Sequence, residues 1–115
     1  MQVTIWHNPR CSKSRTTLQL LEDNGVTPDV VLYLDTPPSK AELVSTLKLL
    51  GMRPRDIIRK GEAAYKDNGL ADASLSDDQI IEIMTKNPIL IERPIVTING
   101  KATIGRPPEN ILKFL

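Results

Sequence analysis

The segment His7–Arg15, which reads His-Asn-Pro-Arg-Cys-Ser-Lys-Ser-Arg, carries the clearest chemistry in the chain. Cys11 falls where a predicted strand has ended and a predicted helix begins. The unpaired N–H groups and positive dipole of a helix start stabilise a thiolate, and Arg10, Lys13 and Arg15 add positive charge. The same N–H groups bind the oxygens of a phosphate-like oxyanion. The sequence therefore predicts a nucleophilic thiolate and an anion cradle in one loop.

Two residues of this segment also have ordinary structural interpretations. Cysteine is often an inert buried residue, and the neighbouring basic residues would then form a solvated helix start. The functional interpretation of Cys11 is favoured because the residue follows Asn-Pro and lies among polar side chains. His7 either stabilises the thiolate through space or is a hydrogen-bonded structural histidine, and the sequence leaves both interpretations open.

Composition restricts the other classes of function. The chain has 115 residues, 40% hydrophobic and 25% charged, which predicts a single globular domain over residues 1–115. A net charge of +1 argues against nucleic-acid or membrane binding. No Cys/His cluster has zinc spacing, so we expect no metal and no resident cofactor. No signal-peptide pattern opens the sequence, and a single thiol is most easily kept reduced in the cytosol, so we expect a cytoplasmic protein.

Because the chain has a single cysteine, any redox cycle at this residue requires a thiol from outside the chain. One thiol makes no intrachain disulfide, so the second thiol of a redox reaction must come from another molecule.

The elements that would position the loop alternate between strands and helices, which predicts an α/β fold with a mixed sheet and helical cover. Turn and cap signals set the boundaries. The predicted elements are a strand that runs from Val3 to the turn at Asn8-Pro9, helix Cys11–Gly25, strand Val30–Leu34, helix Ser39–Gly51, helical turns Arg55–Lys60 and Ala63–Asn68, helix Ser76–Asn87, hairpin strands Ile95–Ile98 and Ala102–Ile104, and a last helix Gly105–Leu115.

Several segments together resemble the glutaredoxin-coupled arsenate reductases over essentially the whole chain. The matching segments are His-Asn-Pro-x-Cys-x-x-Ser at 7–14, Leu-Tyr-Leu at 32–34 with Pro-Pro at 37–38, Ile-Ile-Arg-Lys at 57–60, Glu-Arg-Pro-Ile-Val at 92–96 and Gly-Arg-Pro at 105–107. The resemblance implies a thioredoxin-like or glutaredoxin-like four-stranded sheet with a helical insertion between the second and third strands.

The resemblance also implies the residues of a site. By matching segment, the family's oxyanion-binding arginines fall on Arg59, Arg93 and Arg106, although any single arginine is by default a surface residue. Guanidinium suits this role because its planar donors pair with two oxygens at once. A cis peptide bond between Arg93 and Pro94 is implied as well. The predicted supporting residues are His7, Asn8, Ser14 and Pro94.

For the reaction, the resemblance implies that the Cys11 thiolate attacks arsenate and forms a thioarsenate. Glutathione, as the external reductant, and a glutaredoxin would then complete the reduction to arsenite. Two alternatives stay open. One is a monothiol glutaredoxin-like reductase acting on glutathionylated proteins. The other is an Spx-like regulator that docks on RNA polymerase, although those proteins commonly carry CxxC where this chain has Ser14.

Overall fold

The computed structural model describes residues 2–115. Two compact groups of residues make up the chain. The first contains the residues up to Thr36 together with Arg93–Leu115, and the second contains Pro37–Glu92. The expectation of one domain over residues 1–115 stays a prediction. Between Gln2 and Leu115, no helix has both the length and the apolar character that crossing a membrane requires.

The first unit is built on a four-stranded sheet with strand order β2-β1-β3-β4. β1 (Val3–Trp6) pairs parallel with β2 (Asp29–Val31) and antiparallel with β3 (Ile95–Ile98), which in turn pairs antiparallel with β4 (Lys101–Ile104). A tight turn joins β3 to β4, with Asn99 and Gly100 both at positive φ, as Asn-Gly hairpins require. The mixed sheet and its hairpin confirm the prediction from sequence.

Two helical segments complete the first unit. Helix α1 (Ser12–Asp23) follows β1, and a 3₁₀ helix (Pro108–Phe114) ends the chain. Alternate residues of the strands point to one face of the sheet, because successive side chains of a strand alternate between faces. The residues of the resulting buried cluster, contributed by strands and both helical segments, are Val3, Ile5, Leu21, Val96, Ile98 and Ile111.

The second unit is helical and lies in the sequence between β2 and β3, as the predicted insertion requires. Its helices are α2 (Lys40–Leu50), α3 (Ala63–Asp67) and α4 (Asp77–Lys86), with 3₁₀ turns at Pro54–Asp56 and Pro88–Leu90. Capping boxes start α2 at Ser39 and α4 at Ser76. The buried apolar side chains of this unit include Leu43, Leu47, Ile57, Leu70, Ile80, Met84, Leu90 and Ile91. The α/β class and the thioredoxin-like arrangement with its insertion are confirmed.

Three predicted elements differ from the structure. The strand predicted over Val30–Leu34 ends at Val31, because the Leu32 carbonyl accepts the N–H groups of Asp35 and Thr36 in a turn. The helical turn predicted over Arg55–Lys60 begins and ends earlier, at Pro54–Asp56. Ile58 instead forms an isolated antiparallel bridge with Ile91.

The last predicted helix, Gly105–Leu115, is a 3₁₀ helix that begins only at Pro108. Two consecutive prolines, at 107 and 108, supply no backbone N–H at its start. The Asn110 amide also donates to the carbonyls of Ile104 and Arg106, at 3.3 and 3.2 Å, which ties the segment to the end of β4.

Candidate active site

Two hydrogen bonds accepted by Asn8 hold the loop between β1 and α1. Its backbone carbonyl accepts the Cys11 N–H at 3.0 Å, and its side-chain Oδ1 accepts the Arg10 N–H at 3.0 Å. The Arg15 guanidinium donates to the Pro9 carbonyl at 2.8 Å, which ties the helix back to the loop. Asn8 itself is buried. The position of the thiol therefore depends on local bonds made within a few residues of it.

Cys11 occupies the N-cap position of α1 and is half-buried. Its φ and ψ of −96° and 123° are extended, and its carbonyl accepts the Arg15 N–H at 3.0 Å. No side chain caps the helix start. The first-turn N–H groups have no partner inside the helix, because an α-helix begins without carbonyls to accept them. Cys11 is thus the residue at which the unpaired N–H groups of α1 begin, although its side chain makes no hydrogen bond to them.

The charges along α1 run against its dipole. The first turn has no acidic residue and includes Lys13, with Arg15 close behind, while Glu22 and Asp23 lie at the carboxyl end, whose last turn has no basic residue. Helices normally place acids at the start and bases at the end, since each such charge stabilises the helix by about 0.3–1 kcal/mol. The reversed pattern concentrates positive potential around Cys11. A bound anion would be stabilised there.

A buried polar network lies beneath the loop. Ser14, fully buried, shares a hydrogen bond of 2.7 Å with Nδ1 of His7, and its Oγ also accepts the Asn8 N–H at 3.0 Å. Desolvation, and secondarily the positive charge of Arg15, lower the pKa of His7 below its ordinary 6.5. His7 is therefore neutral at pH 7, which favours the structural interpretation of this histidine over a through-space charge effect on Cys11.

Arg106 is the predicted arginine that the structure places at the thiol. Its Nη1 lies 4.0 Å from Sγ of Cys11 and 3.3 Å from the carbonyl of Arg93, to which it donates. The peptide bond between Arg93 and Pro94 is cis, as predicted, and the bond between Arg106 and Pro107 is cis as well. The Pro94 carbonyl accepts the Gly105 N–H at 2.9 Å. The two Arg-Pro segments are thus joined, and one of them reaches the sulfur.

Arg59 belongs to the second unit, where two carboxylates hold it. Its Nη1 lies 2.8 Å from Glu62 and its Nε lies 3.8 Å from Glu92. Its backbone N–H donates to the Leu90 carbonyl at 2.8 Å. The side chain is 22% exposed, so it is no ordinary surface arginine. Its role, like that of Arg93 as an oxyanion ligand, stays a prediction.

Sequence reasoning missed one close contact behind the site. A Cβ on Gly105 would lie 2.5 Å from Oγ1 of Thr17 and 2.8 Å from Cγ of Pro94, distances that real Cβ atoms do not tolerate. Thr17 is fully buried and donates to the Lys13 carbonyl at 2.8 Å. Glycine is therefore required at position 105, because any larger residue there would collide with Thr17 of α1. The glycine in Gly-Arg-Pro was the available signal.

Together these features give the site one kind of chemistry. A half-buried cysteine precedes a helix whose first N–H groups are unpaired, and a guanidinium lies beside its sulfur, an arrangement suited to nucleophilic attack on a bound oxyanion. Within residues 2–115, no group of three or more His, Cys, Asp or Glu side chains is arranged to hold a metal ion.

Comparison with known proteins identifies relatives over nearly the full chain. Residues 6–114 match the model of the ArsC family. The chain is 57% identical over 115 residues to "Uncharacterized protein YfgD" of Escherichia coli (strain K12), covering 99% of this chain and 97% of that protein. It is 47% identical over 111 residues to an arsenate reductase of Neisseria meningitidis, covering 96% and 95% of the two chains.

Solved structures give the same result. A structure described as an arsenate reductase from Vibrio cholerae superposes with a TM-score of 0.97 at 50% identity, covering 100% of this chain and 98% of that one. A structure described as a putative arsenate reductase from Yersinia pestis superposes with a TM-score of 0.94 at 55% identity, covering 97% and 99%.

Proposed function

Because the chain belongs to the ArsC family, we propose that it reduces arsenate to arsenite, with Cys11 as the nucleophile. The observation that carries the proposal is the position of Sγ at the start of α1, 4.0 Å from Nη1 of Arg106. Two relatives that cover nearly the whole chain are named as arsenate reductases, which supports arsenate as the oxyanion.

In the first step, arsenate binds with its oxygens toward the N–H groups of the first turn and the guanidinium of Arg106. The Cys11 thiolate attacks arsenic, a sulfur–arsenic bond forms, and an oxygen leaves as water after protonation. The developing negative charge on the remaining oxygens is stabilised by donors already in place, so little reorganisation is needed. Arg93 is a further oxyanion ligand in this proposal, and the role of Arg59 stays a prediction from the family resemblance.

In the second step, an external thiol resolves the intermediate because the chain has one cysteine. Glutathione thiolate attacks the Cys11 sulfur, a disulfide bond forms, and the sulfur–arsenic bond breaks with its electron pair remaining on arsenic. Arsenic passes from the +5 to the +3 state while two thiol sulfurs become one disulfide, so two electrons are exchanged. A glutaredoxin thiolate then attacks the glutathione sulfur and releases the Cys11 thiolate.

The cycle consumes reduced thiols, so we place it in the cytoplasm, where glutathione is kept reduced. The protein itself holds no cofactor in this proposal. The electrons come from glutathione, and the partners are arsenate, glutathione and glutaredoxin.

The proposal is tested by a coupled assay that contains arsenate, glutathione, glutaredoxin, glutathione reductase and NADPH. We expect arsenate-dependent NADPH oxidation with the native chain and none with Cys11→Ser. Ser12→Ala, which changes an exposed residue one position along, is the matched control and should keep most of the activity. Turnover by Cys11→Ser at the native rate would refute the mechanism. Turnover that is independent of arsenate would refute the substrate.

A further inference from the structure

A cavity of about 300 Å³ opens beside the loop that carries Cys11, within the first unit. One wall is formed by the loop itself, including Pro9 and Arg10, and the other by the turn after β2, including Leu32, Leu34 and Asp35. This volume lies at the lower end of the range for small-molecule sites, about 300–1,000 Å³. The cavity is therefore large enough for a small ligand, and it extends to Arg10, the residue before Cys11.

The walls combine an apolar surface with one charge of each sign. Leu32 is 40% exposed although it is a large apolar residue at the end of a strand, and Leu34 beside it is half-buried. Arg10 and Asp35 are both exposed. A simple oxyanion would be repelled by the Asp35 carboxylate and would gain nothing from the leucines. The lining instead suits a molecule with both charges joined by an apolar chain.

We propose that this cavity binds glutathione, the thiol that resolves the Cys11 intermediate. The inference rests on the proposed function, since it names the site of the reductant in that reaction. Glutathione carries two carboxylates and one ammonium group. A carboxylate pairs with Arg10, the ammonium group pairs with Asp35, and the methylene chain packs on Leu32.

The chemistry of the second step requires such a site. The glutathione sulfur must approach the Cys11 sulfur itself, because the bond that forms joins these two atoms and the bond that breaks joins Cys11 sulfur to arsenic. When glutathione is bound, the attack becomes a reaction within one complex, and the barrier is lower because the two sulfur atoms are already held near each other. Arg10 precedes Cys11 directly, whereas Cys11 itself does not line the cavity. In this proposal glutathione is anchored at Arg10 and extends its thiol out of the cavity toward the intermediate. The oxyanion donors of α1 take no part in holding it.

The binding test uses S-methylglutathione, which has the charges of glutathione and no free thiol. It is titrated into the native protein and followed by backbone amide NMR. We expect saturable shifts concentrated in residues 7–10 and 32–35, with or without arsenate. Shifts spread elsewhere, or none at millimolar ligand, would overturn the inference. Shifts of these residues with a glutaredoxin but none with S-methylglutathione would overturn it as well, since the cavity would then bind a protein.

The kinetic test uses Asp35→Lys, with Asp29→Lys as the matched control. Asp29 is exposed, lies in the same unit and does not line the cavity. We expect Asp35→Lys to raise the KM for glutathione roughly tenfold, the effect of losing one ion pair and adding one repulsion. The KM for arsenate should stay unchanged, and Asp29→Lys should change neither constant.

The two tests separate this inference from the proposed function. Arsenate turnover with equal glutathione KM values in the native chain and Asp35→Lys would overturn the glutathione site and leave the proposed function standing. Saturable binding of S-methylglutathione at residues 7–10 and 32–35, by a protein that does not reduce arsenate, would refute the proposed function and support the site.

Discussion

Replacing Ser14 by alanine tests the buried network that fixes the active loop. The substitution removes one hydroxyl and leaves two buried groups without their partner: Nδ1 of His7, previously at 2.7 Å, and the N–H of Asn8, previously at 3.0 Å. Water does not readily replace the hydroxyl, because His7 and Asn8 are each 6% exposed and Ser14 is fully buried.

The magnitude follows from these contacts. A buried donor or acceptor left unsatisfied costs about 1–3 kcal/mol, and two such groups lose their partner. Alanine regains about 0.5 kcal/mol through its higher helix propensity. We therefore expect Ser14→Ala to lower the free energy of unfolding by about 1.5–5.5 kcal/mol. For a chain of 115 residues, about 1 kcal/mol corresponds to roughly 4 °C in Tm.

The assay is thermal and urea unfolding followed by circular dichroism at neutral pH. Thr16→Ala is the control, because it removes a hydroxyl from an exposed position of the same helix and should change stability by less than about 0.5 kcal/mol. A loss below about 1 kcal/mol in Ser14→Ala, or equal losses in both variants, would refute the argument that this hydroxyl satisfies two buried groups.

Three further predictions concern stability and binding. Because the pKa of His7 is lowered in the fold, the unfolded chain binds more protons than the folded chain below about pH 6.5, and the fold becomes less stable as the pH decreases through that range. The free energy of unfolding of His7→Asn should lack this part of the pH dependence, and a pH profile equal to that of the native chain would contradict the prediction. Gly105→Ala should cost about 1–3 kcal/mol in urea unfolding by forcing a Cβ against Thr17, whereas Gly61→Ala, with open space around it, should be near neutral. Arg106→Lys should raise the KM for arsenate about tenfold or more, since the amine lacks two parallel donors; kinetics equal to the native chain would remove Arg106 from the site.

Local signals account for most of what could be predicted from the sequence. The capping residues Ser39 and Ser76 satisfy helix-start donors within three residues, and the Asn99-Gly100 pair closes its turn through its own backbone conformations. Such features depend on neighbours in sequence, so pattern reasoning finds them. The start of α1 at Cys11 was identified for the same reason.

The features that were missed depend on distant residues. The apolar run ending in Leu34 has the composition of a strand, yet a turn at Leu32 ends the pairing. Ile58 is drawn from a predicted helical turn into a bridge with Ile91, which no local pattern indicates. The contact of Arg106 with Cys11 joins residues 95 apart. Arg106 was predicted from the family resemblance, because its position in the sequence does not by itself distinguish it from the other basic residues.

Alkylation of the thiol shows whether Cys11 lies inside an oxyanion site, because Cys11 is the only cysteine in the sequence and every modified molecule reports on it. Native protein is treated with iodoacetamide across a range of arsenate concentrations, and the modified fraction is measured by intact-protein mass spectrometry. We expect arsenate to protect Cys11 from alkylation in a saturable manner, and we expect protection of Arg106→Gln to require a higher arsenate concentration. An alkylation rate independent of arsenate in the native protein would contradict a nucleophile placed inside an oxyanion site.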